Sequence, residues 1–247
     1  MSQETVSHGA QGLARVTVRR SSERGHADHG WLDTYHTFSF AEYYDPERMN
    51  FGPLRVLNQD RVAAGRGFGA HPHRDMEIVS FVLDGVMAHK DSMGNGSEMR
   101  PGEVQLMSAG TGVQHSEFNA SKDEALHFLQ MWVVPAEDGT QPRYEQKAYS
   151  REERQGQLRL VVSPDGADGS LTIGQNARLY TGLFAPGEKA SGTLEAGRGA
   201  WIHVATGSVE VNGVTLDAGD GAALEGGGRY DVRGLNDAEL VVWDVAL

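Results

Sequence analysis

Ile78-Val79-Ser80-Phe81-Val82-Leu83, closed by Asp84-Gly85, is the stretch that decides the fold. A short, mostly apolar and partly β-branched run that stops on a turn pair reads as a strand rather than a helix. The same unit recurs on either side. Val104-Gln105-Leu106-Met107 is a strand entered through Pro101-Gly102-Glu103, and Asp91-Ser92-Met93-Gly94-Asn95-Gly96 is a turn. His127-Phe128-Leu129-Gln130-Met131-Trp132-Val133-Val134 is a strand stopped by Pro135. Many short strands between Gly/Asp turns predict an all-β chain built as a sandwich or barrel. The best helix start is the capping-box pattern Ser150-Arg151-Glu152-Glu153. It lies in a polar stretch, Asp138 to Gln157, that reads as the connection between two halves.

The second half repeats the theme. Trp201 to Gly213 reads strand, turn, strand, and Ala218-Gly219-Asp220 enters another strand. Overlaying Gly207 on Gly85 puts Thr193 and Glu195 where His71 and His73 stand. Overlaying Gly219 on Gly102 puts Val232 and Gly234 where His115 and Glu117 stand. Of those four only Glu195 is a strong metal ligand. The pattern predicts a duplicated barrel in which one site is kept and its twin is lost.

The chain has 247 residues and a formal charge of -12, enough to bury a large core in one or two domains. Up to Gln141 it carries 12 basic and 19 acidic residues, and beyond it 10 and 15. Both parts are mildly acidic, which argues against direct binding to nucleic acid or to an anionic membrane. Absence of cysteine excludes disulfides and thiolate ligands. No stretch has the length of a membrane span, and Met1 to Arg20 lacks the apolar core of a signal peptide. The cytoplasm is the default expectation.

Nine of the ten histidines precede Gln141, so the chemistry is expected in the first half. His71 and His73 are two apart, as are His115 and Glu117. Residues two apart on a strand share a face, so each pair can aim both side chains at one point. Three imidazoles and one carboxylate suit a divalent transition metal and leave positions open for chemistry. Glu77, four residues after His73, competes with Glu117 on the same parity count, and spacing alone does not choose between them. His89 is read as a turn residue or a supporting one rather than a ligand. His26, His29 and His36 are read as loop hydrogen-bonders, and the isolated His8, His127 and His203 as structural. Phe51, Phe68 and Met107 are the aromatic and methionine candidates to line the surroundings of such a site.

These residues resemble the two cupin motifs. Gly65, His71, His73 and Glu77 fit the first, with its last glycine one residue late at Gly85. Gly102, His115 and Asn119 fit the second, with Ser108 in place of its proline and Gly110 two residues too far from His115. Within the cupins, the chain is similar to the pirin family. The likeness runs through Asp28-His29-Gly30-Trp31-Leu32-Asp33-Thr34, His36-Thr37-Phe38-Ser39-Phe40, Phe51-Gly52-Pro53-Leu54-Arg55-Val56, His71 to Glu77, His89 to Gly96 and Ser108 to Glu117. It covers most of Arg24 to Asn119 and continues more weakly into the second half.

The resemblance implies a bicupin, two jelly-roll β-barrels packed face to face with few short helices. The expected domains are a metal-binding one over 12–140 and one without a metal over 141–247. It implies His71, His73, His115 and Glu117 as ligands, which decides against Glu77. It also implies quercetin 2,3-dioxygenase activity on a flavonol with O2, with Glu117 as proton acceptor. Fe(II) is the expected ion, and Mn, Co, Ni, Cu and Zn also accept imidazole and carboxylate. The alternative implied by eukaryotic members is a metal-binding regulator that acts through protein–protein contacts. The chain is expected to be a monomer.

Overall fold

The computed structural model describes residues 5–6 and 12–247; His8 lies outside them. Four sheets make two barrels. The first barrel joins a seven-stranded sheet to a four-stranded one. The larger sheet runs, edge to edge, Arg143–Ala148, Glu103–Ser108, Glu77–Asp84, Leu126–Val133, Leu54–Val62, Leu32–His36 and Gly25–Asp28. The smaller runs Gly67–His73, Val113–Asn119, Met87–Asp91 and Gly96–Met99. The second barrel joins an eight-stranded sheet centred on Arg198–Thr206 and Ala238–Ala246 to a four-stranded one. That last sheet runs Lys189–Leu194, Gly228–Gly234, Ser208–Val211 and Val214–Asp217.

Strand parity explains how the large sheets stack. In Glu77–Asp84, Val79 and Phe81 enter one core together with Leu129, Met131, Leu106, Trp201, Val241 and Trp243 from both barrels. Ile78 and Val82, one residue out of phase, belong to the first barrel's own interior. The sheet is therefore buried on both faces, which is why its central strands read as continuous apolar runs rather than alternating ones. Trp243 donates from Nε1 to Met131 Sδ at 3.1 Å across the junction.

The two barrels exchange arms. Arg15–Arg19 pairs with Gly221–Glu225 of the second barrel, and Arg143–Ala148 pairs with Glu103–Ser108 of the first. Pairing thus crosses the 140/141 boundary expected from the sequence, and a cut there would strip a strand from each barrel. Each arm ends in a single helical turn followed by a buried arginine: Ser21–Glu23 then Arg24, and Arg151–Arg154 ending on Arg154. The capping box at Ser150 forms as expected: Glu153 N donates to Ser150 Oγ, and the Glu153 carboxylate accepts from Ser150 N at 2.8 Å. Glu23 caps Arg20 N in the same way at 3.0 Å.

The internal duplication is visible in the backbone. Gly85 and Gly207 both adopt left-handed φ, +83° and +73°, and the matched pair Gly102 and Gly219 has +86° and +85°. Among the described residues, no helix is long and apolar enough to cross a membrane.

Candidate metal centre

Val113–Asn119 alternates strictly, with Val113, His115, Glu117 and Asn119 buried. His115 pairs across with His71, and Val113 with His73. A bulge between His115 and Glu117 then sets Glu117 opposite Phe68. The close approach at the end of this pairing requires glycine, because a Cβ on Gly67 would stand 2.3 Å from the Glu117 carbonyl oxygen.

The three imidazoles converge. Ring centroids are 4.8 Å apart for His71–His73, 4.5 Å for His71–His115 and 4.8 Å for His73–His115. His71 Nδ1 lies 2.8 Å from the Gly69 carbonyl. A carbonyl only accepts, so the proton sits on Nδ1 and Nε2 presents a lone pair. That Nε2 stands 3.0 Å from His115 Nε2, and His73 Nε2 is buried with no partner. Burial, reinforced by the neighbouring rings, pushes the His73 imidazole down to about 4 and the His115 imidazole down to about 3. Ring nitrogens that converge, on imidazoles that burial keeps unprotonated at His73 and His115, fit a divalent cation.

Glu117 lies beside this cluster in a polar network. It accepts from Gln130 Nε2 at 2.7 Å and from Ser80 Oγ at 3.1 Å. Its donor atoms fall in a second group with His89 and His115, overlapping the His71–His73–His115 group at His115. His89 is therefore no turn residue. It sits on Met87–Asp91 opposite Glu117, 1 % exposed, stacked on Tyr144 and within 3.3 Å of Asp91 Oδ2.

Glu77 points elsewhere. The chain turns a corner over Arg74-Asp75-Met76, with Asp75 at φ +47°, and the parity count from His73 does not survive it. The Glu77 carboxylate instead accepts from Ser108 Oγ at 2.8 Å and faces Gly174 of the second half. Burial raises its pKa against those hydrogen bonds.

His26, His36, His127 and His203 are held by hydrogen bonds, His26 and His36 on strands rather than in loops. His26 pairs with Asp33 at 2.7 Å and His36 Nδ1 with Asn58 Oδ1 at 2.9 Å. His29 is exposed. His127 and His203 both meet Gln59 between the barrels.

A cavity of about 250 Å³ opens onto the imidazoles, walled by Phe40, Phe68 and Trp132 and floored by Asn58, Asp60 and Gln130. Of the aromatic and methionine candidates, Phe68 lines it, whereas Phe51 and Met107 are core. Asp60 is locked to Thr34 Oγ1 at 2.5 Å, and burial pushes its carboxyl up to about 7 despite that bond. Phe40, Trp132, Asn58, Asp60 and Gln130 were not singled out by the sequence reading.

Two face-to-face barrels with one imidazole cluster in the first define a bicupin. The Pirin family model matches residues 16–133, and a model for the quercetinase C-terminal cupin domain matches 160–245. The chain is 46% identical to a quercetin 2,3-dioxygenase of Escherichia coli K12, over 93% of this chain and 98% of that one. It is 42% identical to a pirin-like protein of Caulobacter vibrioides, over 90% and 96%. The crystal structure of the E. coli bacterial pirin YhhW in complex with nickel(II) superposes with a TM-score of 0.88 at 46% identity, covering 94% of this chain and 99% of that one. The chain belongs to the pirin family.

Proposed function

We propose that this chain is a metal-dependent dioxygenase that cleaves flavonols of the quercetin type, with His71, His73, His115 and Glu117 as the ligands of one Fe(II). The observation that carries the reading is the convergence of three imidazoles, with the Glu117 carboxylate beside His115, at an aromatic-walled cavity. The relatives named quercetin 2,3-dioxygenase support the reaction, and the nickel(II) complex of a relative supports a divalent cation. When bound, such an ion supplies Lewis acidity toward an enolic hydroxyl and its neighbouring carbonyl.

The chain supplies the rest. Gln130 and Ser80 hold the Glu117 carboxylate by hydrogen bonds, oriented to take the flavonol 3-hydroxyl proton as general base. Phe40, Phe68 and Trp132 grip a flat ring and exclude water. The cavity is slightly smaller than the roughly 300 Å³ at which drug-sized sites begin, so the reacting ring seats there.

Oxygen uptake with release of carbon monoxide on adding quercetin to the iron-loaded protein is the expected result. No uptake across a flavonol panel, with iron bound, would refute the activity.

A further inference from the structure

The exchanged arms are related by the duplication, and their arginines differ in one respect. Arg154, at the end of one arm, packs against Gly102 and forms a buried ion pair with Glu239 at 2.5 Å. Arg24, at the end of the other, packs against Gly219, the glycine that matches Gly102. The residue that matches Glu239 follows from the paired turns. A Cβ on Gly207 would meet the Asp237 carbonyl and Ala238, and one on Gly85 would meet the Ala125 carbonyl and Leu126. Ala238 therefore matches Leu126, and Glu239 matches His127. The acid of one pair is replaced by an imidazole in the other.

Arg24 is 8 % exposed. Its Nη1 donates to Gln59 Oε1 at 3.3 Å, its Nη2 to Ser21 Oγ at 3.0 Å, and its Nε has no partner. Its guanidinium carbon lies 4.8 Å from the centre of the Tyr35 ring, and among the described residues the carboxylates that raise its pKa are engaged elsewhere. Asp220 holds Arg20 and the Ser21 N–H, and Asp60 holds Thr34. A buried guanidinium without a counter-charge is costly. Burial has drawn this one down to about 10. Beside it, between the barrels, lies a cavity of about 240 Å³ that Arg61 and His127 also line. The one carboxylate on its wall, Asp33, is held by His26 at 2.7 Å.

We propose that this cavity binds a small carboxylate anion, which takes against Arg24 the place that Glu239 takes against Arg154. A planar carboxylate matches the guanidinium fork, and Arg61 adds a second positive charge at the mouth. The pocket lies on the opposite face of Leu54–Val62 from the metal cavity, because Gln59 and Arg61 alternate with Asn58 and Asp60.

Thermal unfolding of the metal-loaded protein, titrated with acetate at constant ionic strength in chloride, tests this. A saturable rise in Tm of ~2–4 °C is expected for the native chain. Arg24→Gln should abolish the rise and Arg61→Ala should weaken it. His127→Glu should raise Tm without added anion and abolish the response to acetate, since the acid is then supplied in place. Arg61 is exposed, where substitutions usually cost within about 0.5 kcal/mol, so Arg61→Ala and His127→Glu decide the matter even if Arg24→Gln does not fold. A saturable response to phosphate but not to acetate would overturn the carboxylate assignment. An unsaturable rise shared by all variants, or no rise at all, would overturn the site.

Discussion

The interiors of the two barrels share a backbone plan and differ in what fills them. In the first, His71 faces His115 across the small sheet. In the second, the matching strands place Ala190 opposite Val232 and Gly192 opposite Tyr230. Tyr230 and Val232 pack with Leu194, Ile202, Val204 and Leu240 into an apolar core. A Cβ on Gly192 would lie 2.2 Å from the Tyr230 ring, so the tyrosine occupies the volume that imidazoles occupy in the first barrel. Glu195, the only strong ligand type in the sequence overlay, is exposed and lies beyond the strand Lys189–Leu194. One barrel holds converging donors at the expense of core packing, and the other buries hydrocarbon. The lesson is a division of labour: the second barrel stabilises the sheet stack on which the first presents its site.

The sharpest way to break this contrast is to remove a donor. His115→Ala should lower metal affinity and flavonol turnover by at least ~100-fold, beyond the 10–100-fold typical of supporting residues. Turnover that survives would take His115 out of the chemistry. Gln130→Leu should keep the metal and slow turnover ~10–100-fold by freeing Glu117, a separation that metal analysis beside steady-state kinetics would reveal.

The opposite experiment belongs in the second barrel. Gly192→Ala should cost about 1–3 kcal/mol by overpacking against Tyr230, read by denaturant unfolding, with metal content unchanged. Lost metal would mean the barrels are not divided as described. Acid should act on the first barrel through its imidazoles. His73 and His115 titrate near 4 and 3 when folded, against 6.5 unfolded. Between those values the unfolded chain binds more protons, so stability of the metal-free protein falls as pH drops from 6.5 toward 4. His73→Asn should flatten that fall in Tm. The smallest effect is expected between the barrels, where Ser150→Ala removes a cap worth about 1 kcal/mol.

Much of this was legible in the sequence, for physical reasons. The period of two brought His71, His73, His115 and Glu117 to one interior, and repeated turn glycines disclosed the duplication. Parity failed where the strand ended: the corner at Asp75 carries Glu77 onto another sheet. His89 was open between a turn and a supporting role because it stands two residues before Asp91, where the turn begins. The loop is organised by Asp91, which accepts from Met93 N at 2.9 Å and Asn95 N at 3.0 Å, while His89 stays on its strand. The overlay slipped by three residues on the strand that bears Ala190, since loop lengths differ between halves. The arm exchange is set by pairing between residues far apart in the chain, Arg15 with Glu225 in one arm and Ala148 with Glu103 in the other, which no local pattern records. One signal went unused. Ser80, Gln130, Asn58 and Asp60 are polar residues inside otherwise buried strands, and such residues line the interior they interrupt.

The most direct test of the central claim is the anomalous scattering of a crystal of the metal-loaded protein. The account predicts a single strong peak in the first barrel, bonded to His71, His73, His115 and Glu117, and none in the second. A peak held by His89 or Glu77 instead, or an additional one near Tyr230, would contradict it.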